Sequence, residues 1–220
     1  MTSISHQSID HRLDTYHTGL INARDVAELQ NRLVVFGYTP DKLNQLLALY
    51  QEVFNLYIAQ RTEYSEQFAA THDFKETWKT AHTDYIRLIK LGRIIFKGDY
   101  AAFVKLTLSE ERKKSFSGWL TQARTFFNAL LADAALLSRY GQYGTDQHAV
   151  QAAFAQVGTA EQAHTAKMKE TGEAQQATKE RDARLDVLDS SMAEFYALAR
   201  LACEDAPQLL EMLGITVKAD

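Results

Sequence analysis

The sequence predicts an all-α protein, and three observations support this. Apolar residues recur at steps of three and four along most of the 220 residues, which is the period of one helix face. The two prolines, Pro40 and Pro207, stand where helices would begin. The ten glycines are scattered singly. We therefore expect one domain over residues 1–220, an elongated antiparallel bundle of about five or six long amphipathic helices with a very long C-terminal helix.

The first helix is predicted to end at Gly37, a residue that readily takes a positive φ. Thr39 and Pro40 then suit the N-cap and first position of the next helix. The apolar face of the first helix consists of Ile9, Leu13, Tyr16, Leu20, Ala23, Ala27 and Val34.

Two further helices are expected before Gly98, separated by a polar turn around Thr71 to Asp73. The face of the earlier one consists of Leu43, Leu47, Tyr50, Phe54, Tyr57, Tyr64 and Phe68. The face of the later one consists of Phe74, Trp78, Ala81, Tyr85, Leu88 and Ile95.

After a short piece over 100–108, Ser109 is expected to cap a helix that carries Glu110 and Glu111 in its first turn. This helix should end in the turn from Gly141 to Gly144. Its inward face consists of Phe116, Trp119, Ala123, Phe126, Leu130, Ala134, Leu137 and Tyr140.

Residues 145–205 form either one helix of about 90 Å or two helices broken at a glycine. Within this stretch, residues 158–184 are polar and alanine-rich, and we expect them to be less buried than either end. A short last helix should begin near Pro207 and end at Gly214. Residue identities reveal no repeat of fixed period, only a shared heptad spacing.

Charge is unevenly distributed along the chain. Residues 87–114 carry 8 basic and 3 acidic side chains, whereas residues 1–86 carry 7 and 11 and residues 115–220 carry 9 and 14. The net charge of −4 disfavours nucleic-acid binding. The basic, amphipathic segment 86–106 could pair within the fold or across a dimer, bind a separate acidic protein, or bind an anionic membrane.

The metal candidate is Glu161-Gln162-Ala163-His164, which resembles half of the Glu-x-x-His pattern of ferritin-like di-iron bundles. That family supplies two such motifs and two further glutamates from facing helices. The nearest second copy here, Asp14 to His17, lies off the apolar face, and Asp133 and Glu63 complete no set. We therefore predict no metal and no cofactor.

No catalytic residue is predicted either. Cys203 lies in an apolar run without a histidine partner, which indicates a buried thiol. The remaining histidines lack the four-residue step of helical metal ligands; they are His6, His11, His17, His72, His82 and His148. The aromatic residues from Tyr50 to Tyr85 could line a ligand cavity, although core packing is their more usual role.

The sequence favours a non-enzymatic helical scaffold that self-associates, as a dimer, through its long C-terminal helix. That helix would overrun the shorter helices and leave its middle to pair with a second chain. The alternatives are a small-ligand- or metal-binding bundle and peripheral membrane binding through residues 86–106. Without a signal peptide, a long apolar span or paired cysteines, we expect a soluble, cytoplasmic protein.

Overall fold

The computed structural model describes residues 8–217, and it is all-α, as the sequence predicts. Within that range it contains seven α-helices, a closing 3₁₀ helix and no strand. The α-helices are α1 (Ile9–Asp25), α2 (Ala27–Val34), α3 (Pro40–Ile95), α4 (Tyr100–Lys105), α5 (Phe116–Leu131), α6 (Ala134–Gly141) and α7 (Gln147–Ala202). The 3₁₀ helix spans Pro207–Leu213.

The helices form a duplicated architecture with an offset of 107 residues. Helices α1, α2 and α3 begin at residues 9, 27 and 40, and α5, α6 and α7 begin at 116, 134 and 147. The two long helices each have 56 residues. Helix α4 and the 3₁₀ helix begin at residues 100 and 207. We call residues 8–108 repeat 1 and residues 115–215 repeat 2.

Equivalent positions also share their capping geometry. Ser8 and Ser115 each accept a hydrogen bond from the backbone N–H three residues later, which starts α1 and α5. Gly37 and Gly144 have φ values of 84° and 76° in the turns before α3 and α7. The two repeats therefore share turn geometry and the pattern of buried positions, although few equivalent residues are identical.

The chain folds into two compact units that exchange the halves of the repeats. Unit 1 takes the residues up to Tyr64 and from Glu173 onward, and unit 2 takes Ser65–Gly172. Unit 1 therefore combines α1, α2 and the first half of α3 with the second half of α7 and the 3₁₀ helix. Unit 2 combines α5, α6 and the first half of α7 with the second half of α3 and α4.

Each unit has its own hydrophobic core in which the α3 and α7 segments pack together. In unit 1, Lys42 pairs with Glu194 at 3.4 Å and Glu52 pairs with Arg184 at 2.5 Å, so the two segments are antiparallel. The largest fully buried side chains of unit 1 are Tyr16, Tyr38, Phe195 and Tyr196. Those of unit 2 are Tyr85, Phe96, Trp119, Phe126, Phe127 and Tyr140.

The expected turn at Thr71 to Asp73 is wrong, because α3 is continuous from Pro40 to Ile95. These residues are polar, but neither glycine nor proline interrupts the backbone there, and the buried ring of Phe74 follows directly. The C-terminal helix, which the sequence left open, is also continuous and passes through Gly158 and Gly172. Its alanines Ala160, Ala163 and Ala174 are buried.

Two breaks, of one and two residues, were not predicted, and they shift the buried faces. Val26 and Asp133 adopt extended conformations that separate α1 from α2 and α5 from α6. Ala27 and Ala134, which were predicted to face the core, are exposed. Leu29 and Leu136, two positions later in each helix, are buried in their place. Asp133 caps α6 by accepting from the N–H groups of residues 135 and 136.

The expected cap at Ser109 is also wrong. Residues 109–115 are not helical, and α5 begins at Phe116 with Ser115 as its cap. Thr107, whose φ is 50°, turns the chain away before Ser109. The last helix is confirmed, since it begins at Pro207 and Gly214, whose φ is 76°, follows it as the C-cap. Among residues 8–217, none of the helices has the length and apolar content needed to cross a membrane.

Candidate interaction surfaces

The C-terminal ends of the long helices turn in the same way in both units. Arg139 of α6 donates to the Ile95 carbonyl oxygen at 2.7 Å and pairs with Asp99 at 2.7 Å. Asp99 in turn caps α4 by accepting from the Ala102 N–H. These hydrogen bonds lower the pKa of the Asp99 carboxyl group, chiefly through the Ala102 N–H and then through Arg139. The end of α3 is thereby fixed to α4.

Unit 1 repeats the arginine-to-carbonyl contact with Arg32 of α2, and a neighbouring aspartate again pairs with the guanidinium. The Arg32 guanidinium donates to the Ala202 carbonyl oxygen at 3.3 Å and forms an ion pair with Asp205. The hydrogen bond from Arg32 lowers the pKa of the Asp205 carboxyl group. Because both arginines bond to equivalent carbonyl oxygens at the helix ends, the segments that follow present equivalent positions to solvent.

In unit 2 these positions form a basic surface with an apolar centre. Ile94 is 69% exposed near the end of α3, with Lys90 one turn before it on the helix and Lys97 in the turn that follows the helix. Two more exposed apolar side chains follow on α4, Tyr100 at 82% and Val104 at 54%. We define the basic surface as Arg87, Lys90, Ile94, Lys97, Tyr100 and Val104, all of them exposed.

The equivalent positions in unit 1 form an acidic surface. It consists of Glu194, Ala197, Leu201, Glu204, Pro207 and Glu211, each 107 residues after its counterpart and each exposed. Leu201, the counterpart of Ile94, is 55% exposed. Segment 87–105 carries five basic residues and one acidic residue, whereas segment 194–212 carries one basic residue and four acidic residues.

The central charges of both surfaces lack ion-pair partners. Within residues 8–217, Lys90 and Lys97 make no ion pair, and the same holds for Glu204 and Glu211. Only the first charged position of each surface is paired inside its own unit, Arg87 with Asp84 at 4.0 Å and Glu194 with Lys42 at 3.4 Å. These four central charges are therefore available to a binding partner.

The side chains of the metal candidate, Glu161 and His164, contact other residues of unit 2. Glu161 pairs with Arg124 at 2.5 Å, and the His164 ring stacks on Phe116 with centroids 4.4 Å apart. In the part of the chain from residue 8 to 217, neither residue belongs to a group of three ligating side chains close enough to share one ion. Asp14 and His17 lie in unit 1, where His17 stacks on Tyr50 at 4.8 Å.

His164 belongs instead to an aromatic cluster in unit 2. Its rings, with centroids about 4 to 6 Å from a neighbour, are Phe74, Trp78, Phe116, Trp119 and His164. The indole N–H groups of Trp78 and Trp119 are buried, and neither has an acceptor among the described residues. The Lys167 ammonium lies 5.2 Å from the centre of the Phe74 ring.

The other candidates occupy separate places. Cys203 is fully buried in unit 1, and burial raises the pKa of its thiol, as expected for a structural cysteine. The aromatic residues from Tyr50 to Tyr85 are divided between the units, with Tyr50 and Tyr85 buried and Phe68 67% exposed. Five histidines, His11, His17, His72, His82 and His148, are exposed, and His6 lies outside the described residues.

Comparison with other proteins identifies no relative. No family model matches the chain, and no curated protein or solved structure matches it either.

The sequence pointed to the basic surface but missed the acidic one. The basic segment stands out by composition alone, whereas Glu204 and Glu211 are unremarkable residues of an acidic flank. Placing residues i and i+107 side by side would have revealed that Lys97 and Glu204 occupy the same structural position. The offset becomes visible from three identical pairs, namely the turn glycines Gly37 and Gly144, the caps Ser8 and Ser115, and Arg32 and Arg139.

Proposed function

We propose that the protein is a non-enzymatic helical scaffold that self-associates. The observation that carries this proposal is the basic surface, where exposed Ile94 is flanked along the chain by Lys90 and Lys97, whose ammonium groups are unpaired. An exposed apolar centre with a charged rim is typical of a protein interaction site. The second surface, with Leu201 at its centre, gives the chain two such places.

The contact is assigned to these surfaces rather than to the middle of the C-terminal helix. The sequence favoured that helix because it would overrun shorter partners. Helices α3 and α7 both have 56 residues, so this mismatch does not exist. The buried alanines of α7 pack inside their own units, Ala160 and Ala163 in unit 2 and Ala174 in unit 1.

The chemistry of the rest of the molecule also favours a scaffold. The polar groups that drew attention as candidates act within the fold: Glu161 neutralises Arg124, and Asp133 pairs with Lys105 at 2.7 Å while capping α6. The Lys105 ammonium, followed by the N–H groups of α6, lowers the pKa of the Asp133 carboxyl group. Such groups stabilise local structure.

Light scattering coupled to size exclusion tests the proposal. We expect a mass that exceeds the 24.9 kDa of one chain at low ionic strength and that falls toward 24.9 kDa as salt is added, because salt screens the charged contact. A mass of one chain at every concentration and salt level would exclude self-association.

A second candidate function, small-ligand binding in the aromatic cluster, is favoured by the unpaired indole N–H groups of Trp78 and Trp119. A ligand with an anionic or carbonyl acceptor would satisfy these donors. These are the only two tryptophans, so intrinsic fluorescence reports on this cluster alone. Energy transfer to an anilinonaphthalene sulfonate dye would support the site, and elemental analysis of protein purified without chelator would test the metal version.

A further inference from the structure

We infer that copies of this chain associate head to tail, with the basic surface of unit 2 on one copy bound to the acidic surface of unit 1 on another. The inference rests on the proposed self-association and adds which surfaces meet. Its partner is a second copy of the chain, identified by charge and shape on the molecule itself.

Charge favours contact between unlike surfaces. Lys97 and Glu204 are structural equivalents of opposite sign, and so are Arg87 and Glu194. Two basic surfaces brought together would place unpaired ammonium groups near one another, and two acidic surfaces would do the same with carboxylates. Both pairings are disfavoured, whereas a basic surface against an acidic one pairs the charges.

Both surfaces also have an exposed apolar centre. Ile94 and Leu201 stand at equivalent positions and are 69% and 55% exposed. Contact between the surfaces removes both side chains from water, which stabilises the complex, while the charges form the rim. The flanking charges set the register, and the apolar pair supplies affinity that salt does not screen.

The assembly follows from the fact that each copy carries one surface of each kind. A contact between different surfaces is heterologous, so it leaves one basic and one acidic surface free after the first step. Association then continues until a closed ring forms or an open chain grows. Solution mass should therefore rise with protein concentration in steps of one chain, 24.9 kDa.

Charge reversal on one surface at a time tests the inference. The variant Lys90→Glu/Lys97→Glu has two acidic surfaces, and the variant Glu204→Lys/Glu211→Lys has two basic ones. We expect each variant alone to have the mass of one chain under conditions where the wild type associates. An equimolar mixture of the two should associate again, because each then supplies what the other lacks.

The controls separate this result from general effects of charge. Lys75→Glu/Lys179→Glu makes the same change in net charge as Lys90→Glu/Lys97→Glu, but at exposed positions outside both surfaces, and it should associate like the wild type. A chain with all four reversals should regain self-association. Far-UV circular dichroism checks that each variant keeps its helices.

The outcomes are distinguishable. If the wild type associates but both variants still do, or if their mixture stays at the mass of one chain, the head-to-tail contact is wrong while self-association stands. If the wild type never associates, both proposals fail. Flotation of a monomeric wild type with phosphatidylserine vesicles, lost in Lys90→Glu/Lys97→Glu, would replace the second copy with a membrane.

Discussion

Arg32 and Arg139, 107 residues apart, make the same contact in different units. Arg32 donates to the carbonyl oxygen of Ala202 and Arg139 to that of Ile95, and these two carbonyls are also 107 residues apart. Each arginine belongs to one repeat and each carbonyl to the other. The duplicated architecture is thus held together in each unit by a contact between the two repeats.

Replacing either arginine should therefore destabilise the protein. We expect Arg139→Ala to lower the free energy of unfolding by about 1 kcal/mol, through loss of the bonds to Ile95 and Asp99. Arg139→Lys should recover little, because one ammonium cannot reproduce the two-pronged contact. Urea denaturation measures the effect, with exposed Arg87→Ala as the control. Equal stability of the Arg139 and Arg87 variants would contradict the assignment.

Side-chain volume differs between the units at a second pair of equivalent positions. A Cβ on Gly92 would clash with the Tyr140 hydroxyl oxygen, and that hydroxyl donates to the Leu88 carbonyl oxygen at 2.9 Å. Unit 1 has Ala199 and Leu33 at these positions. Gly92→Ala should thus cost about 1–3 kcal/mol through overpacking.

The residue pair of unit 1, alanine with leucine, indicates a second substitution that should relieve the clash. Because leucine lacks the ring and hydroxyl of Tyr140, the double variant Gly92→Ala/Tyr140→Leu should be more stable than the sum of the two single effects predicts. Thermal or urea unfolding of all four proteins gives this coupling. Gly141→Ala is the matched control, since a Cβ there meets nothing within 4 Å. Strict additivity would show that the predicted clash does not exist.

Two other glycines should respond in opposite directions to alanine. Gly158 lies inside α7 with nothing within 4 Å of an added Cβ, so Gly158→Ala should stabilise the protein by about 0.5–1 kcal/mol. Gly37 also has open space, but its φ is 84°, so Gly37→Ala should cost about 1 kcal/mol or more. The unfolding midpoints of the two variants, compared with the wild type, test both signs.

Stability should fall in alkaline solution. Burial, with a smaller contribution from Glu194, raises the pKa of the Tyr38 hydroxyl from 10.0 to about 12, and burial also raises the pKa of Tyr140 and Tyr196. Above the unfolded-state pKa of 10.0 the unfolded chain binds fewer protons than the folded one. The stabilisation is therefore complete below that pH and is lost as pH rises toward about 12.

Urea midpoints measured from about pH 8 to about pH 11 check this dependence. Tyr38→Phe should have a smaller loss of stability over that interval, because it removes one of the linked groups. An unchanged slope in that variant would show that Tyr38 does not contribute.

The expectation of one domain stays a prediction, and it can be tested with two probes. Trp78 and Trp119 both lie in unit 2, so their fluorescence reports unit 2, whereas far-UV circular dichroism reports all helices. Because α3 and α7 are continuous through both units, we expect the two signals to change at the same temperature. Separate transitions would indicate units that unfold independently.

Much of the fold could be predicted because helix periodicity is a local signal. Glycine readily takes the positive φ found in the turns at Gly37 and Gly144. Proline favours the first turn of a helix, which marks the start of the last helix at Pro207, and Gly214 caps its end. The breaks at Val26 and Asp133 were not predicted, since neither residue forbids a helical conformation. The continuity of α3 through Thr71 to Asp73 depends on its neighbours.

The sequence by itself determined the helical class, the buried role of Cys203 and the basic segment, because periodicity, composition and charge are properties of neighbouring residues. Only the tertiary structure revealed that Lys97 and Glu204 are equivalent and that the repeats exchange halves between the units. The physical reason is that core packing requires apolar side chains of suitable volume but does not constrain the charge of exposed side chains. The two repeats can therefore share one backbone arrangement while their surfaces carry opposite charges.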